Sequence, residues 1–226
     1  MRCKMFPLGD RALTIEFGNE ISVELNNYVL KLADYFEKNP FAGLIEIVPA
    51  YASLTFFYDV LLIRKKFSRF PTAFDAVKYL AETALQNTHD LEKTDSRLIE
   101  IPICFDKEFA LDLESLAAKK NLTREKFIEI FLGETYRVYM LGFLPGFAYM
   151  GEVAGEIAVP RKPSPRLKVP AGSVGIAGQQ TGIYSLDSPG GWQIIGKTNV
   201  ELFTPEAASP AFLQAGDAVK FYAAEF

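Results

Sequence analysis

Three cations fall within seven residues in Pro160-Arg161-Lys162-Pro163-Ser164-Pro165-Arg166. The prolines fix φ and favour extended backbone, so the guanidinium groups have little entropy left to lose on meeting an anion. Lys168 continues the charge as a solvated neighbour. A few residues on, Pro170-Ala171-Gly172-Ser173-Val174-Gly175-Ile176-Ala177-Gly178 offers backbone N–H groups among small side chains, with the Ser173 hydroxyl as a further donor. Gln179-Gln180-Thr181-Gly182 adds amides and a hydroxyl. Together these groups suit a carboxylate or a phosphate. Phe143, Phe147, Tyr149, Tyr184 and Trp192 are candidates to wall the same pocket. Plainer readings stand beside these: cations on a proline-rich edge strand also deter aggregation, and aromatics also fill a barrel core.

Other chemistry is excluded by residue usage. His89 is the only histidine, so no mechanism needing two imidazoles is open, and it stands in the polar stretch Asn87-Thr88-His89-Asp90, which reads as an exposed loop or helix end. Cys3 and Cys104 are far apart and form no metal-ligand spacing; no metal site is expected, and two ordinary thiols suit a reducing cytoplasm. Ala171-Gly172-Ser173-Val174-Gly175 is only a loose relative of the hydrolase nucleophile elbow, and His89 precedes it where that fold places histidine after serine. Gly191-Trp192-Gln193-Ile194-Ile195-Gly196-Lys197-Thr198 fits the phosphate-loop pattern, but Trp192 to Ile195 prefer a strand and Val200 to Phe203 before Pro205 is no helix. The match reads as coincidence.

The chain has 226 residues, 49% of them apolar and 23% charged, so it folds as one large domain or two modest ones. Lys and Arg number 24 against 28 Asp and Glu, a net charge of −4, which leaves no basic footprint for nucleic acid or an anionic membrane surface. The longest mostly apolar stretch, Tyr139 to Met150, is too short to span a bilayer and is interrupted by Gly142, Pro145 and Gly146. Arg2 and Lys4 run directly into Pro7, Gly9 and Asp10, which reads against export and for a cytoplasmic protein.

The elements that must position these groups divide near residue 95. Before it, Ala12–Phe17 reads as a strand, Ser22 caps a helix carrying Leu25, Tyr28, Val29, Leu32 and Phe36, Leu44–Val48 and Leu54–Tyr58 make two strands, and Pro71 opens a second helix. A fourth strand follows at Leu98–Cys104. The order βαββαβ gives a four-stranded sheet with both helices on one face. Two short helices connect onward, Leu113–Lys119 and Arg124–Phe131, the second capped by Thr123. Between Gly142 and Gly196 lie 11 of the 16 glycines and 6 of the 13 prolines, so helices cannot persist there and short strands of a compact β-barrel or sandwich are expected. The expected division is residues 1–95 as an α+β domain and 96–226 as helical connector plus barrel.

Gly142-Phe-Leu-Pro-Gly-Phe-Ala-Tyr149, Pro160-Arg161, Pro165-Arg166, Val169-Pro-Ala-Gly-Ser-Val-Gly175, Gln180-Thr-Gly-Ile-Tyr184 and Ser188-Pro-Gly-Gly-Trp-Gln193 occur in this order, after an opening with Leu8-Gly-Asp10 and Glu16-Phe-Gly18. In this the chain resembles, nearly end to end, the family of the 5-oxoprolinase B subunit and the kinase inhibitor KipI, also described as allophanate hydrolase subunit 1. The resemblance implies an α+β protein with an N-terminal ferredoxin-like domain and a C-terminal cyclophilin-like β-barrel. It implies a non-autonomous component that, with the A subunit and a carboxyltransferase-like C subunit, cleaves 5-oxo-L-proline to L-glutamate at the expense of ATP, without assigning which of them binds the nucleotide. The alternative it carries is a KipI-like regulator that engages a sensor histidine kinase. For the site it implies Arg166 and Arg161 as the catalytic cations on a carboxylate or a transferring phosphoryl group, and Tyr149, Gly172, Ser173, Gln180, Thr181 and Tyr184 as substrate-binding positions. One departure stands out: relatives commonly have a histidine a few residues before the tyrosine matching Tyr136, where Phe131 or a neighbour stands here.

Overall fold

The computed structural model describes residues 3–87 and 96–226, and the chain divides into two compact units, Met1–Asp95 and Ser96–Phe226. His89 lies outside the described residues. In the first unit the elements run β1 (Lys4–Pro7), β2 (Ala12–Glu16), α1 (Val23–Lys38), β3 (Leu44–Pro49), β4 (Ser53–Tyr58), α2 (Val60–Lys66) and α3 (Ala73–Asn87). Ser22 caps α1 as its sequence predicts, its side chain accepting from the N–H of Leu25. Alternate residues Leu13 and Ile15 of β2 and Leu54, Phe56 and Tyr58 of β4 join Val29, Leu32 and Phe36 of α1 and Ala76, Val77 and Ala81 of α3 in one core, which puts α1 and α3 on the same face of the sheet.

The fourth strand of that sheet is not the expected one. The order is β1-β2-β4-β3, every pair antiparallel, and β1 holds the place the βαββαβ reading gave to Leu98–Cys104. Lys4-Met5-Phe6-Pro7 is too short and too polar at its edges to announce a strand, and only pairing with β2 makes it one. β5 (Leu98–Ile103) instead pairs in parallel with β13 (Ala218–Ala223), because Ile101 and Ile103 are fully buried in the core of the second unit.

In the second unit β5 is followed by α4 (Leu113–Lys119), α5 (Arg124–Gly133), β6 (Tyr136–Leu141), β7 (Ala148–Gly151), β8 (Arg166–Val169), β9 (Ser173–Ala177), β10 (Gln180–Ile183), β11 (Ser188–Gly190), β12 (Gln193–Lys197) and β13. Seven of these strands form one sheet in the order β12-β9-β10-β7-β6-β13-β5. Its two edges meet where Cys104 and Lys197 exchange N–H···O bonds of 2.8 and 2.9 Å, so the sheet is a nearly closed barrel. Gly196 permits this meeting, since a Cβ there would lie 2.8 Å from the carbonyl oxygen of Cys104 and from Ile103. Strands expected at Ile157–Val159 and Val200–Phe203 are single bridges at Val159 and Phe203, whereas β8 and β11 form a separate two-stranded ribbon. Phe131 is fully buried against the rings of Tyr136 and Phe221, at 5.0 and 5.2 Å. Phe131 is thus part of the barrel core. Among the described residues no helix is long and apolar enough to cross a membrane.

Candidate functional site

Asp112 stands at the N-cap of α4, where an aspartate ordinarily accepts a bond from its own helix's first turn. It makes no such bond. Its Oδ1 accepts from Arg166 Nη2 at 2.7 Å and from Lys162 Nζ at 3.1 Å, while Oδ2 accepts from the N–H of Ile194 at 2.7 Å. Its own N–H donates to the carbonyl of Ile194 at 2.9 Å, which straps the residue to β12. At 5% exposure, burial works against ionising the carboxyl, but the bonds from Arg166, Ile194 and Lys162 outweigh it and hold the group below the usual carboxylate range.

Arg166 opens β8 and lies opposite Gly190 of β11. One end of its guanidinium is committed to Asp112. The other, Nη1, is buried with no hydrogen-bond partner. A buried donor left unmade costs about 1–3 kcal/mol, and more when charged, so this end of the guanidinium is the one that gains most from a partner. Lys162 reaches the same carboxylate oxygen from the proline-rich segment, whose backbone is irregular rather than a strand and is pinned by Lys162 N–H to Gly191 at 2.7 Å and by Gln193 Nε2 to the Pro160 carbonyl at 3.2 Å. Arg161 is exposed and places its guanidinium over the Trp192 ring, 5.8 Å from the centroid.

The aromatics form one wall beside these cations. Phe147 packs edge-on against Tyr149, Tyr184 and Trp192 at 4.9, 5.5 and 5.5 Å, and Tyr149 meets Trp192 at 5.9 Å. Phe147, Tyr184 and Trp192 are buried, Tyr149 is half-buried, and Phe143 stands 59% exposed at the outer end with its ring across Phe147 and Tyr184. Gly190 lies so close to the Tyr184 hydroxyl that no side chain could stand there. Burial raises the Tyr184 hydroxyl above its ordinary value, against a bond with the Trp192 backbone and the nearby charges of Arg161 and Arg166. Arg161, Arg166, Tyr149 and Tyr184 are therefore gathered around one locus.

The remaining sequence candidates are placed differently. Thr181 is fully buried and spends its hydroxyl on the Gly175 carbonyl at 3.0 Å, inside the sheet. Gln180 is half-buried in β10, opposite Gly151 and Ala177. Gly172 and Ser173 serve through their backbones, the Gly172 N–H donating to the Tyr184 carbonyl at 2.7 Å and the Ser173 carbonyl accepting from the Tyr184 N–H at 2.9 Å. Both hold the strand end that carries Tyr184. Gly172 also lines an open cavity of ≈ 370 Å³ with Phe109, Ser185, Lys197 and Leu202.

Lys197 ends β12, its ammonium over the Phe109 ring at 5.2 Å, and irregular backbone rather than a helix follows it. The phosphate-loop pattern thus sits on a strand, and its N–H groups are already spent, that of Ile194 on the Asp112 carboxylate, that of Lys197 on the Cys104 carbonyl and that of Thr198 on the Gly172 carbonyl. Lys197→Ala is expected to leave any affinity of the chain for a nucleotide phosphate within a few-fold of the wild type's. Calorimetric titration with ATP checks this, and a loss on the order of 1000-fold would restore a phosphate-binding role.

Asp112 escaped sequence reasoning because an aspartate before a helix is sufficiently explained as a cap. Its signal, the diverted side chain, exists only in three dimensions.

The family model described as "Carboxyltransferase domain, subdomain C and D" matches residues 3–213. The chain belongs to this carboxyltransferase-domain family. It is 46% identical over 222 residues to the 5-oxoprolinase B subunit of Bacillus subtilis, a span of 98% of this chain and 92% of the relative. Its identity to the 5-oxoprolinase B subunit of Escherichia coli O157:H7 is 34%, covering 97% of this chain and 95% of that one. The resemblance carried by Gly142–Tyr149 and the motifs after it is thereby shown. The crystal structure of TTHA0988 superposes with a TM-score of 0.81 at 36% identity over 96% of this chain. This chain spans only 40% of that one.

Proposed function

We propose that this protein is the B subunit of an ATP-dependent 5-oxoprolinase, which cleaves 5-oxo-L-proline to L-glutamate together with the A and C subunits. Near-full-length similarity to the 5-oxoprolinase B subunit from two bacteria carries the reading. The site agrees in kind: a buried carboxylate orients cations beside an aromatic wall, with no nucleophile among them.

A five-membered lactam resists hydrolysis, and ATP would supply the activation of its amide. Water then adds at the lactam carbon, the ring C–N bond breaks, the nitrogen takes up a proton to become the amino group of glutamate, and ADP and inorganic phosphate are released as the products of the coupled ATP hydrolysis. In this chain Arg166 would bind an anionic group of the reactant, Asp112 would hold Arg166 in place, and Tyr149, backed by the buried Trp192, would border the ring. Arg161 would act from the solvent edge. The described residues form no phosphate loop, so nucleotide binding is assigned to a partner, and the occurrence of this fold as 40% of the longer TTHA0988 chain supports its working beside further sequence.

The purified single chain is expected to release no glutamate from 5-oxoproline with ATP, and addition of the cognate subunits is expected to restore release. Glutamate formation by the chain alone would overturn the division of labour. Mild affinity purification from the native cell tests the whole assignment: recovery of a carboxyltransferase-like C subunit supports the enzyme, and recovery of a sensor histidine kinase in its place supports the KipI-like alternative.

A further inference from the structure

The charge and shape of the buried cluster select among anions. Arg166 and Lys162 share a single oxygen of Asp112, and the side chains of all three are mostly buried, at 23%, 29% and 6% exposure. Two cations against one carboxylate leave this inner cluster with one net positive charge. Arg161, being exposed, is screened by solvent and adds little to that balance. A singly charged ligand neutralises the cluster completely, whereas a phosphate dianion would leave a net negative charge in a largely dry site, where uncompensated charge is costly. Nη1, which is buried without a hydrogen-bond partner, is left for a single ligand oxygen of either a carboxylate or a phosphate, so the choice between them rests on charge. Beside the cluster the half-buried Tyr149 and the exposed Phe143 are the accessible rings of a wall backed by buried Phe147 and Trp192, which suits a small ring rather than a polyphosphate chain.

We infer that this cluster is a monoanion site that takes the carboxylate of the cyclic substrate and does not hold a nucleotide phosphate or the transferring phosphoryl group. The inference rests on the 5-oxoprolinase reading for the identity of the ring and on the cluster itself for the class of anion. Asp112 is then a positioning residue that also sets selectivity, by cancelling one of the two buried positive charges.

Two measurements test it. In the assembled complex, Lys162→Gln is expected to raise KM for 5-oxo-L-proline about tenfold, the loss of one charge-assisted interaction, with KM for ATP unchanged. A rise in KM for ATP with KM for 5-oxoproline unchanged overturns the inference. For the full chain by itself and for the complex, titration by NMR at about pH 8.5, where inorganic phosphate is the dianion, with 5-oxo-L-proline and with phosphate is expected to show 5-oxoproline shifting resonances around Arg166, with phosphate failing to compete. Those shifts are expected to vanish in Arg166→Ala. Competition by phosphate at equal or lower concentration overturns the inference, as does the absence of carboxylate binding from both preparations. An assembled complex that does not turn over 5-oxoproline, while its chain still binds the monocarboxylate in preference to phosphate, refutes the assigned reaction and leaves the monoanion site standing.

Discussion

Arg166→Ala in the assembled enzyme is expected to lower kcat/KM for 5-oxo-L-proline on the order of 1000-fold, and Arg166→Lys to recover little of it. The two ends of the guanidinium differ: Nη2 bonds to the buried Asp112 at 2.7 Å, while Nη1 is buried without a partner and is the end that would meet the carboxylate under the proposal. A lysine ammonium is one compact charge on a flexible stem. It cannot hold Asp112 and present a planar edge to a carboxylate at once. The fold survives the change, because Asp112 keeps Lys162 Nζ and the Ile194 N–H, and the cost to stability is about 1–3 kcal/mol for the lost charged bond. Circular dichroism, thermal unfolding and complex formation are measured beside the kinetics. Near-normal turnover by either variant removes Arg166 from the site, and lost assembly reassigns it to the interface with a partner.

The sequence makes some of this legible and conceals the rest for definite reasons. Local rules suffice where one residue's chemistry decides: Ser22 and Thr123 cap their helices as predicted, and the glycine- and proline-dense stretch 142–196 contains strands and turns but no helix. They fail where pairing at long range decides. β5 has the alternating isoleucines of any half-buried strand, and nothing local says that its partner is β13, 120 residues on from Leu98 to Ala218, rather than a strand of the first unit. The site divides in the same way. Arg161, Arg166, Tyr149 and Tyr184 were readable from rigid, aromatic-rich sequence and do gather at one place. Thr181 was readable only as a hydroxyl, and the sheet consumes it. Asp112 is 54 residues from Arg166 in the chain, and only the packing of α4 against β12 brings them together.

Asp112→Asn is expected to destabilise the chain by about 3–5 kcal/mol at neutral pH, since it leaves two partly buried cations without their counter-charge. The amide is nearly the same size and can still accept from the Ile194 N–H, so the effect reports charge more than shape. Its pH dependence separates the two. In the folded protein the Asp112 carboxyl is held below its ordinary value, so its contribution is fully present above the unfolded-state pKa, about 3.9, and is lost as pH falls through the folded-state value. The difference in unfolding free energy between wild type and Asp112→Asn should therefore be constant from pH 7 to 5 and shrink as pH falls below about 4. Other carboxylates titrate in both proteins and cancel in that difference. Urea unfolding at stepped pH measures it, and a difference that stays level into acid shows that Asp112 is not held ionised by Arg166 and Lys162. The same substitution gives the inner cluster a second net positive charge, so phosphate should bind more tightly to Asp112→Asn than to wild type. A variant that loses stability without gaining phosphate affinity would mean that the carboxylate holds the barrel together and leaves the choice of anion to other groups.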